Sequence, residues 1–140
     1  MTMNNVNLQP VTKTISNEQI SDYANASGDR NLLHLDDTFA ASTQFGGIIA
    51  HGMLTLAFLN EMLVRSFGEY WLKNGSLKVR FKGAAYPNDK LTSAGNLIKQ
   101  TTDSNQQQLN YSILVSNHKD EEIITGNIRV AVPNNETIYE

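Results

Sequence analysis

The stretch that decides the fold runs from Ile48 to Phe67 and reads IIAHGMLTLAFLNEMLVRSF. Leu56, Leu59, Leu63 and Phe67 recur at spacings of three and four, the period of a helix. Met53, Leu54, Ala57, Phe58, Met62 and Val64 fill in around them, so the helix is apolar on nearly every face. Such a helix lies at the centre of a fold or spans a membrane. Asn60, Glu61 and Arg65 interrupt it well short of the ~20 apolar residues a span needs. It reads as a core helix with something large wrapped round it. Its entry is polar. His51 and Gly52 sit where the first unpaired N–H groups point outward, and glycine lets another group approach the backbone closely.

Working outward toward the N-terminus, Phe45-Gly46-Gly47 is a glycine-rich turn that feeds this helix. Before it, Asp36 or Asp37 can cap a short helix through Phe39, Ala40 and Ala41, and residues 29–35 read as a loop. Ser16-Asn17-Glu18-Gln19 matches a capping box, and the helix it opens has Ile20, Tyr23, Ala24 and Ser27 on one face and Gly28 placed to end it. Val11 to Ile15 alternates as a short strand does, and residues 1–10 are expected to be loose. On the other side, Lys73-Asn74-Gly75-Ser76 is a turn. Leu77, Val79 and Phe81 then alternate with Lys78, Arg80 and Lys82 as in a half-buried strand. Further strands are predicted over Leu91 to Ile98, Leu109 to Ser116 and Ile123 to Val132. They are separated by a polar hairpin loop from Thr101 to Gln108 and a turn at Asn117 to Glu121, with a frayed tail from Pro133. The sum is an α+β domain: a helical first half, then an antiparallel meander of four strands curled round one long helix. Such a sheet has open edges, which makes pairing with a second copy plausible.

The 140 residues fit one domain, with 40% hydrophobic and 18% charged residues and a net charge of −3. No basic patch of the nucleic-acid-binding kind stands out. Cysteine is absent, which removes disulfide and thiolate chemistry. The N-terminus lacks a basic start followed by an apolar run, so a cytoplasmic protein with no secretory signal is expected.

The polar groups with chemical potential lie just before the long helix, in Ser27-Gly28-Asp29-Arg30-Asn31-Leu32-Leu33-His34-Leu35-Asp36. Asp29 and His34 stand on a loop that Leu32, Leu33 and Leu35 turn back toward the core. A carboxylate and an imidazole held side by side can share one water, and histidine titrates near neutrality. On pattern alone the commoner reading is structural, with Asp29 capping a turn and His34 a satisfied, partly buried ring. Unpaired amides at the start of the long helix favour negative charge, so the Gly52 N–H could polarise a carbonyl; equally, Gly46, Gly47 and Gly52 could serve only a tight loop. There is no Gly-x-Ser-x-Gly elbow, cysteine nucleophile, phosphate loop or dinucleotide fingerprint. His34, His51 and His118 lack metal-ligand spacing, so no metal is expected.

The run from Ser27 to Asp36, followed by Phe39-Ala40 and then Gly47-Ile48-Ile49-Ala50-His51-Gly52-Met53, closely resembles the hydratase motif of MaoC-like (R)-specific enoyl-CoA hydratases. The resemblance is strongest over residues 20–60 and continues more weakly through Val79-Arg80-Phe81, Pro87-Asn88-Asp89-Lys90-Leu91 and the closing strands. It implies the hot-dog fold, a sheet wrapped round one long helix, in agreement with the architecture read above, over a single domain spanning residues 1–140. It further implies that Asp29 and His34 form a catalytic dyad that holds the water added across a 2-enoyl thioester. The backbone N–H of Gly52 would receive the thioester oxygen, Asn31 would orient the dyad, and Ser27 and His51 would support the loop. Met53, Leu56 and Asn60 are candidates for the acyl pocket. Two departures stand out: Leu32 replaces the proline usual in the family, and Asn60 stands where some relatives carry serine. Lys78, Arg80 and Lys82 could meet the phosphates of coenzyme A or an acidic acyl carrier protein, although an ordinary solvated face is the commoner reading of such charges. No cofactor is implied beyond the coenzyme A or phosphopantetheine of the substrate, and neither nucleic acid nor membrane is an expected partner. The competing readings are a hot-dog acyl-thioesterase and a non-catalytic acyl-binding subunit of a heteromeric dehydratase. A homodimer or higher hot-dog oligomer is expected.

Overall fold

A computed structural model describes residues 8–134. Strand β1 (Val11–Thr14) leads into helix α1 (Asn17–Ser27), followed by a single 3-10 turn (Leu32–His34) and helix α2 (Asp37–Ala41). The long helix is α3 (Gly52–Phe67), and a short helix, α4 (Glu69–Asn74), follows it. Strands β2 (Ser76–Phe81), β3 (Lys90–Thr102), β4 (Gln106–Ser116) and β5 (Glu122–Pro133) complete the chain.

Local chemistry sets the helix ends. Ser16 Oγ accepts from the Gln19 N–H at 3.1 Å while Gln19 Oε1 accepts from the Ser16 N–H at 2.9 Å, closing the capping box that opens α1. Gly28 ends that helix in the left-handed conformation at φ 81°, its N–H donating to the Ala24 carbonyl. Of the two candidate caps for α2 it is Asp36 that acts, its Oδ1 accepting from the Phe39 N–H at 2.8 Å.

The five strands form one antiparallel sheet in the order β1-β3-β4-β5-β2. Only β3, β4 and β5 form a meander. The chain crosses from β2 at one edge to β3 near the other, which corrects the expected four-strand meander. Pairing places Val79 beside Gly126. A Cβ on Gly126 would lie 2.2 Å from the Lys78 carbonyl oxygen, so only glycine lets β2 lie this close.

The inner face of the sheet packs on α3. Leu109, Tyr111, Ile113 and Val115 from β4, with Ile124, Ile128, Val130 and Val132 from β5, meet Leu59, Met62, Leu63 and Phe67 in one buried cluster. Lys13 of β1 and Arg65 both pair with Glu61, tying the first strand to the long helix.

Four expectations need correction. The tract Thr101–Gln108 is a hairpin with a tip of only three residues, 103–105; Gln107 is buried and accepts from the Gln100 amide, so ladder pairing outweighs the polar composition. The tail is anchored as far as Asn134, because Pro133 pairs with Gln106 and the Asn134 side chain donates to the Asp103 carbonyl. Leu8, expected to be loose, is 5% exposed and packs in the core; residues 1–7 and 135–140 lie outside the described residues. Finally, α3 is not wrapped on every side. Gly52, Met53, Ala57 and Asn60 are exposed, so the sheet covers one face of the helix and leaves an apolar face open. Among the described residues, no helix is long and apolar enough to cross a membrane.

Candidate active site

The site gathers where the segment before α3 meets the loop after α1. Gly28 turns the chain, and the loop that follows is held by local bonds. The Asp29 N–H donates to Ser27 Oγ at 3.1 Å, the Asn31 N–H donates to Asp29 Oδ1 at 3.2 Å, and Asn31 Oδ1 caps the 3-10 turn by accepting from the Leu33 N–H at 2.9 Å. The turn forms with Leu32 at its first position, and that side chain is exposed, while Leu33 and Leu35 are half-buried. Two of the three leucines therefore return the loop to the body of the protein.

His34 projects from this turn and is partly buried. Its Nδ1 lies 2.7 Å from the carbonyl oxygen of Ile49. A carbonyl only accepts, so Nδ1 carries the hydrogen and Nε2 is left with a lone pair. His51 is the N-cap residue of α3 and is 3% exposed. Its Nε2 lies 2.9 Å from the Asp29 carbonyl oxygen, so by the same reasoning it donates there. The His34 and His51 rings stack with centroids 3.8 Å apart and planes inclined by 25°, and Tyr23 of α1 meets His51 edge-on at 4.8 Å. His51 Nδ1 is buried without a hydrogen-bond partner among the described residues.

Asp29, His34 and His51 each bring a ligand-type atom within 4.8 Å of the other two. The sequence spacing gave no sign of this third group. A metal ion lies in the plane of each imidazole that binds it, at about 2.0–2.1 Å from the nitrogen. Two rings stacked 3.8 Å apart and inclined by only 25° do not readily share one ion lying in both their planes.

Gly52 is the first residue of α3, where backbone N–H groups have no intrahelical acceptor and the helix dipole is positive. A Cβ at this position would lie 3.2 Å from the Phe81 ring, so the aromatic side chain of β2 flanks the amide. The proposed acyl-pocket residues Met53, Leu56 and Asn60 all line one apolar groove of about 210 Å³, together with Ala57, Leu59, Leu63 and Leu77. The Asn60 side chain is already engaged, its Oδ1 accepting from Trp71 Nε1 at 2.7 Å. This contact ties α4 back to α3.

The basic residues are divided. Leu77 and Phe81 face α3, so alternation turns Lys78 and Arg80 to the opposite face of the sheet, away from Asp29 and His34. Lys82 lies beyond the strand and lines a separate polar groove with Phe45, Tyr86 and Lys119. His118, expected to be solvated in a turn, is exposed, with Nδ1 4.0 Å from Asp89. Sequence reasoning named His51 as a support of the loop, and the bond to the Asp29 carbonyl is of that kind; it missed the stacking of His51 on His34, the Ile49 carbonyl and Phe81.

A sheet packed on one long helix, with an aspartate and a histidine gathered at that helix's N-terminus, defines a hot-dog protein with a polar site. The MaoC like domain family model matches residues 2–117, and the chain belongs to that family. It is 32% identical to the 3-hydroxyacyl-thioester dehydratase Z of Mycobacterium tuberculosis over 89 residues, which are 61% of this chain and 59% of that protein. The match thus spans about three fifths of that curated relative. Over 53 residues it is 40% identical to the (R)-specific enoyl-CoA hydratase of Rhodospirillum rubrum, covering 38% of this chain and 37% of that one. The fold is similar to that of the (R)-hydratase of A. caviae, with a TM-score of 0.76 at 23% identity over 92% of this chain and 98% of that one.

Proposed function

We propose that the protein is a hydro-lyase that adds water to 2-enoyl thioesters, or removes it from (R)-3-hydroxyacyl thioesters, carried on coenzyme A or an acyl carrier protein. The observation that carries this reading is the convergence of the Asp29 carboxylate and the His34 ring, held through its Nδ1 by the Ile49 carbonyl, near the start of α3. A water shared by the two side chains is polarised for attack on C3 of the enoyl group. As the C–O bond forms, charge moves onto the thioester oxygen, and the Gly52 N–H at the positive end of the helix would receive it. The pair takes one proton from the water and returns one to C2, so one water is consumed and the dyad ends as it began. No cofactor is needed beyond the thioester carrier. The apolar groove under Met53, Leu56 and Asn60 is the proposed seat of the acyl chain.

Incubation of the protein with crotonyl-CoA tests this. Hydration bleaches the enoyl-thioester absorbance without releasing free thiol, whereas a thioesterase releases thiol and a non-catalytic subunit does neither.

We further propose that two copies associate through the β2 edge. Leu77, Phe81 and Met53 are 40%, 51% and 56% exposed, and they join the uncovered face of α3 into one apolar surface beside a strand edge that is unpaired among the described residues. Pairing there would also cover the proposed acyl groove.

A further inference from the structure

Asp29 and His34 come from one loop, yet neither is fixed by that loop alone. The bonds described for Asp29 within the loop are all local, to Ser27 and Asn31. Among the described residues, what ties it to a distant part of the chain is the hydrogen bond from His51 Nε2 to its carbonyl, 22 residues away in sequence. His34 is held by the Ile49 carbonyl and rests face to face on the His51 ring. The three-residue segment from Ile49 to His51 therefore anchors both members of the dyad and runs directly into the helix whose first residue is Gly52.

His51 itself shows which property of its ring matters. At 3% exposure its Nδ1 has no hydrogen-bond partner among the described residues, and a buried unpaired acceptor is unfavourable. A phenylalanine would fill the same space between Tyr23 and His34 without that penalty. What imidazole offers and a phenyl ring lacks is the Nε2–H donated to Asp29.

We propose that His51 is a positioning residue: its ring packs against His34, but it is the Nε2–H donated to the Asp29 carbonyl that fixes the Asp29 backbone and so sets the separation of carboxylate and imidazole. This rests on the hydratase reading for its kinetic consequence but not for its geometric one. Misplacement of reacting groups by about 1 Å costs on the order of 10²-fold in rate.

The test compares His51→Phe, which keeps the stack and loses the donor, with His51→Gln, whose amide nitrogen can reach the Nε2 position. With crotonyl-CoA, His51→Phe should lower kcat by on the order of 10- to 100-fold with KM within a factor of about three, and His51→Gln should recover most of the loss. Should His51→Phe fail to fold, His51→Asn takes its place, since its amide reaches only the Nδ1 position and predicts the same loss. Equal kcat in wild type and the donor-lacking variant, or equal impairment of that variant and His51→Gln, overturns the proposal. If the wild type hydrates no enoyl thioester, it is the hydratase reading that fails, and nuclear magnetic resonance decides the positioning claim separately. A change in the Asp29 carbonyl ¹³C and His34 imidazole ¹⁵N shifts in His51→Phe, reversed in His51→Gln, supports it; unchanged shifts in the phenylalanine variant overturn it.

Discussion

Gly52 shows how much a single position can carry at the residue scale. Its lack of a side chain lets the Phe81 ring lie close against the first residue of α3. In Gly52→Ala the new methyl would meet that ring at 3.2 Å, and because the ring is half exposed it can swing aside, so the fold survives. We expect a hydration rate lower by about 10-fold, since one oxyanion donor is worth on the order of 10²–10³ and here it is obstructed rather than removed. The melting temperature should move by no more than a few degrees, because alanine is the better helix former. Unchanged kcat in this variant would show that the amide does not face the substrate. Asp29, His34 and Gly52 were legible because their residue types and mutual spacing carry the motif. The roles of Ile49 and Phe81 were not. A backbone carbonyl leaves no mark in sequence, and Phe81 reads as one more apolar position in a strand.

At the scale of elements, α3 and β2 set the limits of what periodicity can tell. The repeat in Ile48–Phe67 revealed an apolar helix, but hydrophobicity does not say which neighbour covers each face. Leu59, Met62 and Leu63 go under the sheet, while Met53 and Ala57 stay open. The alternation Leu77, Val79, Phe81 likewise identified a strand but not its place, because strand order depends on contacts far apart in sequence: β2 pairs with β5, not with β3. The same two elements lead to an expectation about assembly. The 15.6 kDa chain should sediment as a dimer, and Leu77→Asp, which puts a charge into the apolar surface beside the β2 edge, should shift it toward monomer at micromolar concentration. A variant that remains as dimeric as the wild type would place the interface elsewhere.

The whole molecule is a sheet closed over one side of a helix, and its buried centre responds to pH. Burial pushes the Tyr111 phenol well above its ordinary value of 10.0. A group whose pKa is raised in the folded state contributes stability that is complete below its unfolded pKa. As pH rises past about 10, unfolded chains lose the proton that folded chains keep, and that contribution falls away. Urea denaturation should therefore show stability declining at alkaline pH, with a shallower decline in Tyr111→Phe than in the wild type; equal slopes would contradict the assignment. The overall architecture was legible in the sequence because a helix apolar all round and a run of alternating strands admit few packings. The joining of β1 and β2 at opposite edges, and the anchored tail, emerge only when the chain is closed. The same closure brings Asp29, His34 and the start of α3 together, and the most direct test of that convergence is the rate of crotonyl-CoA hydration by Asp29→Asn against the wild type. We predict a loss on the order of 10²–10⁴-fold with an unchanged circular dichroism spectrum, as expected when one partner in proton transfer is neutralised. Hydration at the wild-type rate by the folded variant would contradict the assignment of the site.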